Sequence, residues 1–98
     1  MKVVRYHEAA QYELLTEIGY LELREHGLGR RFLEDVKRAE DFIAEFPEAG
    51  EEIRPGVRKR RLRTFRCSLI DSVEGDGPLI LAVAHQSRRP DYWSGRVR

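Results

Sequence analysis

The stretch AVAHQSRRPDYWSGR, residues 82 to 96, places a histidine, three arginines, a tyrosine and a tryptophan behind a run of small apolar residues. A second basic cluster, Arg58, Lys59, Arg60, Arg61 and Arg63, lies in VRKRRLRTF. Histidine is the side chain whose unperturbed pKa lies near neutrality, so His85 is the natural acid or base of the set. The planar fork of arginine suits phosphate, and the rings of Tyr92 and Trp93 offer faces for stacking on bases. Brought onto one surface, these groups would support RNA cleavage by the adjacent 2′-hydroxyl: a base, cations for the phosphorane, and an acid for the leaving oxygen.

Each of these residues also has a structural reading. His85 at a strand end can serve only as a hydrogen-bond partner of the backbone, and Tyr92 and Trp93 can close the open edge of a core. The arginines can be answered by acids of the same chain or by an acidic partner protein. Other chemistries are excluded by spacing. His7, His26 and His85 lack Cys or His neighbours at zinc-ligand distance, so no metal site is expected, and no cofactor is implied. The GLG of HGLGRRF lacks the third glycine of a dinucleotide fingerprint and follows a helix, so it reads as a helix junction. Cys67 stands alone without an activating neighbour in sequence and reads as a small strand residue.

The elements that must position these groups are constrained by length and charge. With 98 residues and 41% hydrophobic content, the chain is expected to form one domain over residues 1–98. A single cysteine, the absence of a secretory leader and the lack of any apolar run near the roughly 20 residues of a membrane span point to a cytoplasmic protein with no membrane partner. The net charge of +1 hides an asymmetry. Residues 1–52 carry seven Lys or Arg against thirteen Asp or Glu, and residues 53–98 carry eleven against four. A balance of −6 followed by +7 suggests a basic functional surface on a solubilised scaffold.

KVVRY, residues 2–6, reads as a first strand. From Glu8 to about Glu25, Ala10, Leu14, Ile18 and Leu21 share one helical face, and Gly27 stops that helix. Leu28, Phe32, Val36, Ala39, Ile43 and Phe46 form the stripe of a second helix, ended by Pro47. FPEAGEEIRPG is then expected to be a loop, followed by strands at VRKRRLRTF, CSLIDSV and LILAVAHQ, the last two joined across EGDGP. LILAVA, apolar on both faces, belongs inside the sheet. The cations of VRKRRLRTF must reach solvent or face an anion. The order predicts an α+β fold, an N-terminal strand and a helical hairpin packed on a mostly antiparallel sheet.

YHEAAQYELLTEIGYLE, GLGRRFLEDVKRAEDFIAEFPEAG, IRPGVRKRRLRTF and VEGDGPLILAVAHQSRRPDYW together resemble toxins of the RelE/ParE superfamily, the toxic half of bacterial type II toxin–antitoxin pairs. The resemblance covers nearly the whole chain and implies a helical hairpin on a curved sheet, neutralised by a cognate antitoxin in a toxin–antitoxin hetero-oligomer. RelE-like members cleave mRNA on the ribosome without a metal, and ParE-like members inhibit DNA gyrase. The ending in His and RRPDYW is more similar to the ParE-like side, which makes gyrase inhibition the expected activity and ribosome-dependent mRNA cleavage the rival. A partner-binding module that has kept the fold and lost the activity is a third reading. By position, Arg61, His85 and Tyr92 are the nearest matches to catalytic groups of the nucleases, with Lys59, Arg63, Arg88, Arg89 and Trp93 as target-binding residues. Two positions depart from similar members, which often carry Tyr at Asp71 and Pro at Arg66. An acid in the middle strand is expected to weaken an anion site or to mark a variant with reduced toxicity.

Overall fold

The structure, a computed structural model, describes residues 3–97. Two helices come first because their starts and stops are written locally. Helix α1 (Glu8–Arg24) begins where the His7 Nδ1 accepts a hydrogen bond from the Ala9 N–H at 3.0 Å, satisfying one free amide of the first turn. It is followed by α2 (Leu28–Glu45), and the link between them turns on Gly27, whose φ of 88° is left-handed. The Glu22 carboxylate of α1 accepts from the Gly27 and Gly29 amides at 3.0–3.1 Å, so one helix caps the start of the next. Gly29 permits the close approach, since a Cβ there would lie 2.7 Å from the Ile18 carbonyl oxygen.

The first strand is shorter than the sequence predicts. Of the expected residues 2–6, only Arg5–Tyr6 (β1) pair with the sheet, and Lys2 lies outside the described residues. After α2 come β2 (Glu51–Arg54), β3 (Val57–Arg61), β4 (Cys67–Glu74) and β5 (Gly77–His85). Strand β2 falls within the segment expected to be a loop. All four of its residues are exposed, so no burial pattern marks it, and it exists as the partner of β3. The expected strand through Phe65 stops at Arg61, because the Leu62 N–H turns to the Cys67 carbonyl and closes the connection to β4.

The sheet order is β1-β5-β4-β3-β2, antiparallel throughout except for the parallel β1–β5 pair. This is the predicted α+β architecture of a helical hairpin on a mostly antiparallel sheet. The main core lies between helices and sheet, where Ala10, Leu21, Phe32, Val36 and Ile43 meet Leu62, Leu69, Ile80 and Val83. A second cluster lies on the other face of the sheet, where Val57, Ile70, Leu79, Leu81 and Ala82 are covered by Trp93 of the C-terminal tail. Burial on both faces explains why β5 reads as a continuous apolar run.

Candidate target-binding groove

Strand β3 sorts its cations by alternation, because successive side chains leave a strand on opposite faces. Arg58 pairs in register with Asp71 and Arg60 with Leu69, on the side covered by the helices. Lys59 pairs with Ile70 and Arg61 with Ser68, on the side facing the tail. The basic strand is therefore two half-sets with different partners. Arg60 is only 8% exposed and donates from Nε to the Asp71 Oδ1 at 3.1 Å. The sequence requirement that these cations meet an anion is thus satisfied internally for Arg60.

Asp71 is fully buried on that helix-facing side. Its pairing with Arg60 and its place on the face away from the groove described next bear against the expectation that it weakens an anion site there.

On the tail-facing side, a groove of about 600 Å³ opens between the β2–β3 hairpin, the turn leading into β4, and the segment after β5. Arg54, Lys59, Arg61, Arg66, His85, Arg88 and Arg89 line it, together with Tyr92 and Trp93. Asp91 is the single acid among the lining residues. Of the eight residues that the resemblance assigns to catalysis or target binding, Arg63 is the exception. It lines a separate hollow of about 450 Å³ beside α2, with Arg38, Phe42 and Leu62. Lys59 and Arg61 border both hollows.

Proximity does not give these residues equal freedom. The His85 Nδ1 accepts from the Ser87 N–H at 3.1 Å and lies 2.8 Å from the Ser87 hydroxyl. That geometry assigns the proton of the neutral ring to Nε2 and uses Nδ1 to close the turn after β5. Tyr92 is half-buried, with the Arg88 Cζ 3.9 Å and the Arg96 Cζ 5.1 Å from its ring centre. Burial, and then the Glu13 carboxylate, push its hydroxyl well above the ordinary range, which suits it poorly to give up a proton near neutrality. Trp93 is 3% exposed, donates from Nε1 to the Pro90 carbonyl at 2.8 Å, and lies under Arg54 at 5.1 Å. Its ring fills the second core cluster, which gives it a packing role and leaves little of its face open for stacking.

Glu13 escaped the sequence reading. Its carboxylate receives both terminal nitrogens of Arg96 at 3.0 Å and the Val83 N–H at 3.0 Å, while Arg96 also donates to the Leu81 carbonyl at 2.9 Å. Strand β1 covers β5 only at Leu79 and Ile80, and this pair covers the edge beyond. The signal was present, since Glu13 sits between Ala10 and Leu14 on the flank of the buried stripe, where an acid requires a partner.

Among the described residues no group of His, Cys, Asp and Glu is arranged to hold a metal ion, and no helix is long and apolar enough to cross a membrane. Cys67 is buried, and burial pushes its thiol up to about 12.

Comparison with known proteins bears on both fold and family. No curated protein matches the chain. Among solved structures, a chain of the chromosomal ParDE TA system from P. aeruginosa superposes with a TM-score of 0.73 at 18% identity, covering 87% of this chain and 96% of that one. At that identity the match speaks for the fold, the same two helices on a five-stranded mixed sheet. The family model described as the ParE toxin of type II toxin-antitoxin system, parDE, matches residues 4–90. That match spans the helical hairpin and every strand of the sheet, and the chain belongs to the ParE toxin family of type II toxin–antitoxin systems.

Proposed function

We propose that this toxin, acting as one domain over residues 1–98 in the cytoplasm, inhibits DNA gyrase, and that a cognate antitoxin holds it inactive in a hetero-oligomer. Arg61, Lys59, Arg88 and Arg89 would contact the target, with His85 shaping the groove wall. One observation carries the preference for an inhibitor over an mRNA nuclease. Tyr92 and Trp93, groups a nuclease would use for stacking or proton transfer, are committed to internal contacts, which leaves the groove rich in cations with His85, itself bonded through Nδ1 to Ser87, as the remaining acid–base candidate. Arg63 faces the hollow beside α2 and suits contact with an acidic antitoxin segment better than contact with the target.

The test uses purified toxin with gyrase on relaxed plasmid, and in parallel with ribosomes translating a defined mRNA. Supercoiling should be inhibited while the mRNA stays whole. Arg61→Ala should weaken inhibition about tenfold or more, the equivalent of a charge-assisted hydrogen bond. Cleaved mRNA with normal supercoiling would replace this reading with the nuclease, in which case His85→Ala should lower the rate by about 10²- to 10⁴-fold. Neither effect, with antitoxin binding retained, would leave a binding module.

A further inference from the structure

We infer that the groove holds the phosphodiester backbone of duplex DNA, read by charge and without regard to base sequence. The inference rests on the groove being the target-contact surface and names what it would contact. Besides Arg88, which pairs with Glu13 at 3.9 Å, five cations line it, Arg54, Lys59, Arg61, Arg66 and Arg89. Among the described residues none of the five forms an ion pair with an acid within 4.0 Å. Other arginines of the same half of the chain are answered internally, Arg60 by Asp71 and Arg96 by Glu13. Apart from Arg63, which faces the hollow beside α2, the cations of residues 53–97 without an ion pair among the described residues are therefore gathered on one concave surface.

The chemistry of the lining narrows the ligand. Four of the five cations are arginines, whose forks of donors fit phosphate oxygens, and they stand on different walls: Arg54 on β2, Lys59 and Arg61 on β3, Arg66 in the turn before β4, Arg89 in the tail. A ligand that meets them all carries repeated negative charge along its length. The rings that could read bases are covered by the protein's own cations, Trp93 by Arg54 and Tyr92 by Arg88. A groove with free cations and covered rings suits backbone contact, the term that positions nucleic acid without specifying sequence. Duplex DNA, with the denser phosphate charge, is favoured over a single strand.

Fluorescence anisotropy of the full-length toxin with short labelled duplexes tests this. Binding should be equal for AT-rich and GC-rich duplexes and should fall with salt, each contacted phosphate adding about 0.9 to the magnitude of the log–log slope. Arg61→Ala and Arg89→Ala should each lower that magnitude by about one, while Arg30→Ala, exposed on α2 away from the groove, should leave it unchanged. The inference is overturned by absence of binding at low salt, by a slope unmoved in the groove variants, by dependence on base composition, or by tighter binding of single-stranded RNA or of poly-glutamate. Gyrase inhibition without DNA binding removes this inference and keeps the target assignment. DNA binding without gyrase inhibition does the reverse.

Discussion

Arg60 and Asp71 form a buried ion pair between adjacent strands, with Nε donating to Oδ1 at 3.1 Å. The same guanidinium donates to the Pro47 carbonyl at 2.9 Å and the Phe46 carbonyl at 3.4 Å, so it also closes the end of α2. The chain passes tightly over it at Gly50, where φ is 100° and a Cβ would lie 3.3 Å from the Arg60 Cγ. Burial raises the Asp71 carboxyl above its ordinary value, and Arg60 holds part of that rise back.

Removing one partner of this pair strands the other charge away from water. Asp71→Ala should lower the free energy of unfolding by roughly 3–5 kcal/mol, and the apolar double variant Arg60→Met with Asp71→Leu should recover much of the loss. Urea denaturation of the three proteins measures both effects. Wild-type stability in Asp71→Ala would show that the pair holds nothing together.

The free edge of β5 depends on Glu13 and Arg96. Arg96→Ala removes the bidentate contact and the donor to the Leu81 carbonyl, and should cost about 1.5–3 kcal/mol, the scale of hydrogen bonds to charged groups. Exposed backbone on a hydrophobic strand also invites pairing between chains. Light scattering at increasing protein concentration should therefore rise in the variant before unfolding begins.

Trp93 separates core from contact surface. Trp93→Ala should destabilise by about 3–5 kcal/mol, as expected when a large buried ring is deleted, while Trp93→Phe should lose far less. Gyrase inhibition by the folded Trp93→Phe protein should match wild type. A selective loss of inhibition, with stability retained, would return Trp93 to the target-binding set.

Glu22 gives the fold a pH dependence of known sign. The Gly27 N–H, with smaller help from the Gly29 N–H and His26, holds its carboxyl below the usual value against a desolvation that raises it. A carboxyl whose folded pKa is depressed stabilises the fold above its unfolded pKa and loses that contribution as pH falls through the folded value. Glu22→Gln should therefore melt below wild type at neutral pH, and the gap should narrow once the pH drops under about 4.3, the ordinary glutamate value. Thermal melts across that range provide the check; a gap constant with pH would sink the capping account.

Much of this molecule is local in origin. The apolar stripes of Ala10–Leu21 and Leu28–Ile43, with Gly27 and Pro47 as stops, determine the helical hairpin, because helix periodicity and termination depend on neighbours within a few turns. LILAVA likewise announces a strand buried on both faces. Strand β2 carries no such mark, since Glu51–Arg54 bury nothing and take their conformation from pairing with β3.

For the groove, the sequence by itself supplied the inventory, the cations of residues 57–63 with His85, Arg88, Arg89, Tyr92 and Trp93. Only the tertiary structure decided which are free. Alternation along β3 is fixed by sequence, but which face meets the helices depends on register, and a slip of one residue would exchange Arg60 with Arg61. Asp71 answers Arg60 from 11 residues away and Glu13 answers Arg96 from 83, partners that no local pattern announces. Trp93 became core because the tail folds under the sheet and buries its ring there, while Lys59, Arg61 and Arg89 stayed available because no acid of the described chain reaches them.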